Sequence, residues 1–363
     1  MKQNILDLTF IELNNAIFDL DIETYRARQI FHSVHSGKSD SFDNLKNIPA
    51  DLKKILSKNF SFEKLKLLKD NFSPEFNTTK FLFETSTGQK IESVLISEKD
   101  RNTVCISTQV GCNVGCEFCA TGKMGFIKNL KPGEIVDQIY QISKFTDLKP
   151  TNIVYMGMGE PFLNYENMLT SLKILTDERG LNIGSRRITV STVGFRNKIK
   201  KFADDLSDEE NFKIKNVKLA LSLHSTDNGI REEIIPTSKK NRLPDLYEEL
   251  IYFYRTTGTK ITYEYIFFEG INDSDNDIKR LKKLSSMVPS NINIIPFHPI
   301  EFQLNKPLDI YNSHTKDISK FLSKDKLNDF ITRLRNQKVV VNLRTSSGVD
   351  INAACGQLAV LNN

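Results

Sequence analysis

Cys112, Cys116 and Cys119 fall within the stretch VGCNVGCEFC (110–119), spaced C-x3-C-x2-C. Thiolates are soft ligands, and three at this spacing can converge on one inorganic centre of zinc or iron. Two chemistries compete. If Cys105 joins, four cysteines between 105 and 119 make a closed structural zinc site, but Cys105 lies in an expected β-strand seven residues before Cys112. Structural zinc sites usually pair C-x2-C elements in two knuckles instead. The other chemistry is a 4Fe-4S cluster held by three thiolates. Its fourth iron keeps an open position that can bind a small molecule and pass an electron into it. The fifth cysteine, Cys355, stands near the C-terminus in INAACGQLAV; on its own it reads as a small buried hydrophobe.

The elements that must hold these residues follow from periodicity. From about residue 102 strands alternate with helices. The strands are expected at TVCISTQ (103–109), NIVYM (152–156), RITVST (187–192), VKLALSL (217–223), ITYEYIF (261–267), NINIIPF (291–297) and VVVNLR (339–344). Lys131 to Phe145 reads as a helix, with Pro132 opening it and Ile135, Val136, Ile139 and Ile142 on one face. Repeated βα units predict an α/β fold with a parallel sheet and helices outside, open or closed into a barrel. GMGEP (157–161) follows NIVYM, Ser191 ends RITVS, His224 follows LALSL, and His298 follows NIIPF. Four polar features at four strand ends converge on the C-terminal rim, where parallel βα folds carry their sites.

The first 90 residues form a separate expected unit. Asp21 to Ser33 and Pro49 to Phe60 have helical spacing, and a β-hairpin turns at Thr85 to Gly88. The division is therefore 1–90, a small helical accessory domain, and 91–363, the core with the C-terminal cysteine segment.

CNVGCEFC is similar to the cysteine loop of the radical S-adenosylmethionine (SAM) superfamily, including the aromatic Phe118 before the last cysteine. The resemblance implies that SAM takes the fourth position of the cluster and is cleaved to a 5′-deoxyadenosyl radical, and that the fold is a partial (βα) barrel. GMGEP resembles the element that contacts SAM, with Gly159 and Glu160 in the contacting places. Ser191, Ser222, Leu223 and His224 look like further SAM contacts. GMGE alone would fit any tight turn, but in order with the cysteine loop it is specific.

AACGQL, with CISTQVGCNVGCEFCATGKMG upstream, closely resembles the RlmN/Cfr family of RNA adenine methyltransferases. The likeness runs from YRARQIF (25–31) through GQKIESV (88–94), GMGEPFLN (157–164) and EGINDS (269–274) to the C-terminus. It implies that Cys355 carries a methyl group from one SAM, is activated by a radical from a second, and links covalently to adenine. It implies that Cys105 resolves that adduct by forming a disulfide with Cys355, and that Glu92 in KIESV is the proton acceptor or a member of its proton network. An acidic residue alternating along an outer strand is otherwise a solvated one. The implied product is carbon-2 methylation of adenine 2503 in 23S rRNA, and of adenine 37 in some tRNAs. TQVGC, GKMG, GEPFLN and EYIFFEGINDS favour this RlmN branch. Two places depart from it: His298 stands where the family has Asn contacting SAM, and LRTSSGVDI (343–351) lacks paired arginines. The latter resembles the Cfr branch, whose implied product is the carbon-8 isomer.

Composition agrees with such an enzyme. Fifty Lys and Arg against 45 Asp and Glu leave a net charge of +5, which permits an anionic partner without requiring one. Basic clusters occur at Lys53–Lys54, Lys64 to Lys69, Arg186–Arg187, Lys198 to Lys201 and Lys239 to Arg242. The N-terminal module and these clusters are the expected RNA-docking surfaces. An odd number of cysteines and a start that is acidic rather than basic-then-apolar point to a reducing cytoplasm. No apolar run is long enough to span a bilayer. A monomer served by an electron donor such as flavodoxin or ferredoxin is expected.

Overall fold

The stretches rich in β-branched and aromatic residues fold as strands, and ten of them join one sheet. The computed structural model describes residues 2–37, 39–312, 322–344 and 347–360. In chain order the strands are β1 (Lys66–Ser73), β2 (Thr78–Glu84), β3 (Lys90–Glu98), β4 (Arg101–Cys105), β5 (Asn152–Tyr155), β6 (Ile188–Thr192), β7 (Lys218–Ser222), β8 (Ile261–Phe267), β9 (Ser290–Pro296) and β10 (Val341–Leu343). Their order in the sheet is their order in the chain. β1 to β4 form an antiparallel meander, and β4 to β10 are parallel throughout.

Each parallel step is bridged by a helix: Pro132–Thr146, Tyr165–Thr176, Lys198–Ser207, Leu243–Thr257, Asp275–Met287 and Lys324–Asn336. Crossovers of one hand, always moving to the next strand, put every helix on the same face, so the sheet must curl around its other face. The curl is visible in one contact. Arg344, just after β10, brings Nη1 to 3.7 Å from the Met156 sulfur after β5, although five strand spacings of a flat sheet would separate them by roughly 24 Å. β8 shows the division of labour: Tyr263, Tyr265 and Phe267 are buried, while Thr262, Glu264 and Ile266 alternate with them and line the interior cavities.

The sheet stays open between β10 and β1, and the chain's tail lies along the meander there. Lys80 Nζ of β2 donates to Asn352 O at 3.3 Å, and Ala359 N donates to Glu92 Oε2 of β3 at 2.9 Å. Gly348 has φ +73, and a Cβ on it would sit 2.9 Å from Thr78 Cγ2; a side chain there would push the tail off the sheet. Thr345 and Ser346, within the stretch reminiscent of the Cfr branch, lie outside the described residues.

The N-terminal helices Phe10–Phe18, Tyr25–His35 and Ala50–Asn59 precede the sheet. The first is opened by a reciprocal Thr9–Glu12 capping box. They share one apolar core with the sheet and its helices. Asp7 Oδ1 accepts from Gly133 N at 2.8 Å, and His35 Nδ1 bonds the Tyr140 hydroxyl at 2.9 Å. The turn at Thr85–Gly88 is present, with Gly88 at φ +81, but its two strands belong to the main sheet. The expected division at residue 90 therefore falls inside a hydrogen-bonded hairpin. One further difference concerns TVCISTQ. The strand stops at Cys105, and Gln109–Gly111 pairs instead with Phe126–Asn129 in a small separate hairpin. Ile106 N and Gly157 N still bond across to Val154 O and Ile106 O at 3.0 Å each, turning the chain toward the cysteine loop.

Candidate active site

The loop carrying Cys112, Cys116 and Cys119 is held from three sides. Cys112 N donates to Gly125 O at 2.9 Å, and Gly111 at φ +73 is compulsory there because a Cβ would fall 1.8 Å from that same oxygen. Glu117 N donates to Ile234 O at 2.9 Å. The buried Glu117 carboxylate takes Lys123 Nζ and the Asn305 amide. The Phe118 ring meets the His224 ring edge-on at 4.6 Å between centroids.

All three thiols line one cleft of about 790 Å³ counting its open mouth, the concave kind of surface on which small-molecule sites are built. Gly159, Glu160, Ser191, Ser222, His224 and Cys355 line the same cleft. The strand ends thus converge as expected for three of the four features, GMGEP, Ser191 and His224, but not for His298. Gly159 has φ +99, and a Cβ there would lie 2.7 Å from Gln109 N. Glu160 is buried with its carboxylate accepting from Phe162 N at 2.9 Å and Val193 N at 3.0 Å; burial pushes its pKa up to about 7. Ser191 and Ser222 bring their hydroxyls within 3.4 Å. His224 accepts from Ile266 N at 3.1 Å through Nδ1, which leaves the proton on Nε2, and burial keeps the ring neutral with a pKa of about 3.

Leu223 is placed differently. Its side chain is fully buried in the core and does not line the cleft; its backbone N–H donates to Glu264 O at 3.0 Å and its carbonyl accepts from Arg231 Nε at 3.1 Å. His298 also lies outside the cleft lining. It is buried, neither ring nitrogen has a protein partner, and burial lowers its pKa to about 4.

Cys355 is exposed partway along the tail. Ala120 N donates to Gly356 O at 2.7 Å, and Thr121 Oγ1 to Leu358 O at 2.6 Å. The tail is therefore clamped directly onto the residues that follow Cys119. Cys105 does not open into the cleft. It lines a second cavity, inside the curled sheet, which Cys355 also lines; burial raises its pKa to about 12. Glu92 lines neither. It is paired with Lys80 at 3.0 Å and holds Ala359 N, beside a small outer pocket on β1 to β3.

Three residues passed over in the sequence belong to this centre. Glu264 and Arg344 line both cavities, 3.4 Å apart; the signal was a carboxylate in the otherwise apolar and aromatic ITYEYIF. Arg231 carried no signal. Its guanidinium is fully buried, donates to Leu223 O, Ser222 O and Val193 O, and keeps Nη1 without a partner. No carboxylate pairs with it among the described residues.

These groups fit an anionic metal cluster. Burial raises the Cys112 thiol to about 12 and the Cys116 and Cys119 thiols above their ordinary value, with the neighbouring cysteines adding to the effect. Three thiols that resist ionising until a metal arrives, next to a buried cation lacking a counter-charge, match a thiolate-bound iron centre. Among the described residues no three His, Cys, Asp or Glu groups are close enough to hold a single ion. One ion at about 2.3 Å from each sulfur requires a tighter set than a four-iron cluster does.

A radical SAM superfamily model matches residues 106–281, and a model of the ribosomal RNA large subunit methyltransferase N-terminal domain matches residues 3–61. The chain superposes on a radical SAM methyltransferase from Sphaerobacter thermophilus with a TM-score of 0.85 and 36% identity, over 98% of this chain and 99% of that one. Fold and cysteine loop thus define a radical SAM methyltransferase. A Thermotoga maritima protein described as a "probable dual-specificity RNA methyltransferase RlmN" is 41% identical over 98% of this chain and 97% of its own length. Its Thermotoga neapolitana counterpart is 40% identical with the same coverage. The chain belongs to the RlmN family. Among the described residues no helix is long and apolar enough to cross a membrane.

Proposed function

We propose that this protein methylates carbon 2 of adenine 2503 in 23S rRNA and of adenine 37 in tRNAs, with Cys355 as the methyl carrier. The observation that carries this reading is the position of Cys355: on a clamped tail, lining both the cleft of the three cysteines and the cavity of Cys105. Carbon 2 of adenine is an electrophilic amidine carbon and cannot displace the methyl group of SAM, so the protein must supply a different attacking atom. With Cys112, Cys116 and Cys119 holding a 4Fe-4S cluster, bound SAM supplies a methyl cation equivalent and, from a second molecule, a carbon radical.

Cys355, exposed and beside the Arg344 guanidinium, takes the methyl group as its thiolate. Loss of a hydrogen from that S-methyl group gives a thiomethylene carbon radical that adds to the adenine; the adduct then gives up the carbon-2 proton and one electron, which would return to the iron centre. Half-buried Cys105, in the adjoining cavity, attacks the Cys355 sulfur, so that the S–CH2 bond breaks, the released carbon takes up the thiol's proton as the product methyl group, and the Cys105–Cys355 disulfide formed is reduced again between turnovers. Glu92 sits behind the tail and fixes Ala359, four residues beyond the carrier, as a member of the proton network. Gly159, Glu160, Ser191, Ser222 and the neutral His224 line the space left for SAM.

The test is the RNA product. Anaerobically reconstituted protein is incubated with SAM, a reductant and protein-free 23S rRNA, and the digested nucleosides are separated with mass detection. 2-Methyladenosine is the expected product. 8-Methyladenosine as the main product would place the protein with the Cfr branch.

A further inference from the structure

The interior of the curled sheet is hollow, and its lining is part polar and part apolar, with Val94, Val154, Ile295 and Leu343 among the apolar residues. A barrel core is ordinarily filled by layers of Val, Ile and Leu. Here a chamber of about 1500 Å³ counting its mouth is lined by Thr103, Thr189, Thr262, Asn293 and Asn342, and it ends at Cys105 and Cys355. Glu264, Asn293 and Asn342 are register neighbours on β8, β9 and β10. Their side chains form a ladder, Asn342 Nδ2 donating to Asn293 Oδ1 at 3.2 Å and Asn293 Nδ2 to Glu264 Oε1 at 2.9 Å. The exposed lining residues Glu98, Arg101 and Lys218 stand where β3 ends and where β4 and β7 begin. The chamber therefore opens at the N-terminal ends of the parallel strands, on the side away from the cysteine loop.

Around that opening, besides Glu98, stand six cations. Arg101 starts β4, Arg186 and Arg187 precede β6, Lys218 starts β7, Lys260 precedes β8, and Lys338 precedes β10. All six are exposed, and none forms an ion pair with a carboxylate among the described residues. Exposed Lys239, Lys240 and Arg242 likewise have no ion pair among the described residues, so it is the position of the ring at the chamber mouth that marks it, whereas several lysines of the remaining clusters are engaged. Lys54 faces Asp51, Lys53 bonds Asp43 O, Lys64 is paired with Asp40 and Asp137, and Lys201 with Glu166 and Asp205.

We propose that RNA docks on this N-terminal face of the barrel and that the target adenine passes up the hollow interior to Cys355, so that base and SAM reach the carrier from opposite sides. The unpaired ring attracts phosphates. An extruded nucleotide needs a path lined by hydroxyl and amide groups, which the chamber has and a packed barrel lacks. The two cavities meet at Met156, Glu264, Ile295, Arg344 and Cys355, so the only lining thiol common to both is the carrier. Asn293 and Asn342 are placed to bond the edge of the base, as asparagine amides do with adenine. This rests on the reading that an adenine in RNA is the substrate.

Two measurements test it on the full chain. In the first, the affinity of a 23S rRNA fragment is followed by fluorescence anisotropy at several salt concentrations. Lys218→Glu with Lys260→Glu should weaken binding at least tenfold and flatten the salt dependence by about one unit of slope per lost phosphate contact. Lys53→Glu with Lys54→Glu on the N-terminal helix should change binding less than twofold. The reverse ranking overturns the proposal in favour of docking through the N-terminal helices. In the second, RNA carrying 8-azidoadenosine at the target position is photo-crosslinked. Adducts on strands β8 to β10 around Thr262 and Asn293 support entry through the chamber; adducts near Val114 and Pro161, on the cysteine-loop side, overturn it. Neither readout needs turnover. Absence of any methyladenosine product with both binding results intact would fault the assigned reaction and leave the docking surface standing.

Discussion

Arg231 is the residue whose chemistry is least expected from its surroundings. A guanidinium fully buried with one unpartnered nitrogen and no carboxylate costs several kcal/mol unless an anion compensates. Thiolates of a cluster bound by the cysteine loop would be that anion, Cys116 being the thiol that feels the Arg231 charge, so Arg231 should favour the reduced, more negative cluster. Arg231→Gln is expected to lower the midpoint potential by roughly 40–90 mV, equivalent to about 1–2 kcal/mol for one electron. Arg231→Lys should largely restore it. Redox titration followed by electron paramagnetic resonance reads both, and an unchanged potential in the glutamine variant removes the assignment. Gly159 is a second residue-scale case. With φ +99 and Gln109 N 2.7 Å from a would-be Cβ, Gly159→Ala must displace backbone, at about 1–3 kcal/mol. A SAM affinity at least tenfold weaker by calorimetry, with the cysteine loop still able to load iron, is the expected outcome.

At the scale of elements, a buried histidine is among the groups that tie the N-terminal helices to the barrel. His35 closes the helix Tyr25–His35, bonds the Tyr140 hydroxyl of the helix Pro132–Thr146, and packs on Phe31 with ring centroids 4.4 Å apart. Burial, with the positive charge of Lys64 adding to it, depresses its pKa to about 3. The unfolded chain takes up a proton on this ring near pH 6.5 while the folded chain refuses it. Stability contributed by the neutral ring is therefore present above about pH 6.5 and is lost as pH falls toward 3, at about 1.4 kcal/mol per pH unit. Urea midpoints should report about 2 kcal/mol less stability at pH 5 than at pH 7 from this group. His35→Phe should remove that share, and an unaltered pH slope in the variant would count against it.

For the molecule as a whole, the open side of the barrel is the decisive feature, because Cys355, the proposed carrier, sits on the segment that crosses it. The Lys80–Glu92 pair on β2 and β3 fixes that segment at Asn352 and Ala359. Lys80→Met leaves a buried carboxylate without its cation, which costs up to about 3–5 kcal/mol where burial is complete. Limited trypsin digestion should then cut beyond β10 at least ten times faster, and methyl transfer to Cys355, seen by intact mass, should slow while the iron content stays the same. Equal cutting rates would show that Ala120 and Thr121 hold the tail unaided.

Much of this arrangement could be read from the residues alone. Apolar alternation located all seven parallel strands to within a residue or two, except that TVCISTQ stops at Cys105. The sequence also marked the local chemistry, since C-x3-C-x2-C and GMGEP are contiguous motifs whose meaning lies in their own spacing. It could not separate Leu223, buried in the core, from Ser222 and His224 in the cleft, because neighbouring strand residues face opposite sides and the strand end is irregular. Nor could it show that β1 to β3 continue the barrel sheet, which depends on long-range hydrogen bonds. Only the curl of the sheet brought Arg344 to Met156, gave Cys355 two cavities to face, and left Glu92 behind the tail. Residue types and short spacings are properties of neighbours in the chain, so the sequence by itself determined the candidate cysteine ligands, the strands and the family. The tertiary structure decided which charges lack partners and which way the interior opens, because both depend on groups brought together from strands far apart in the chain.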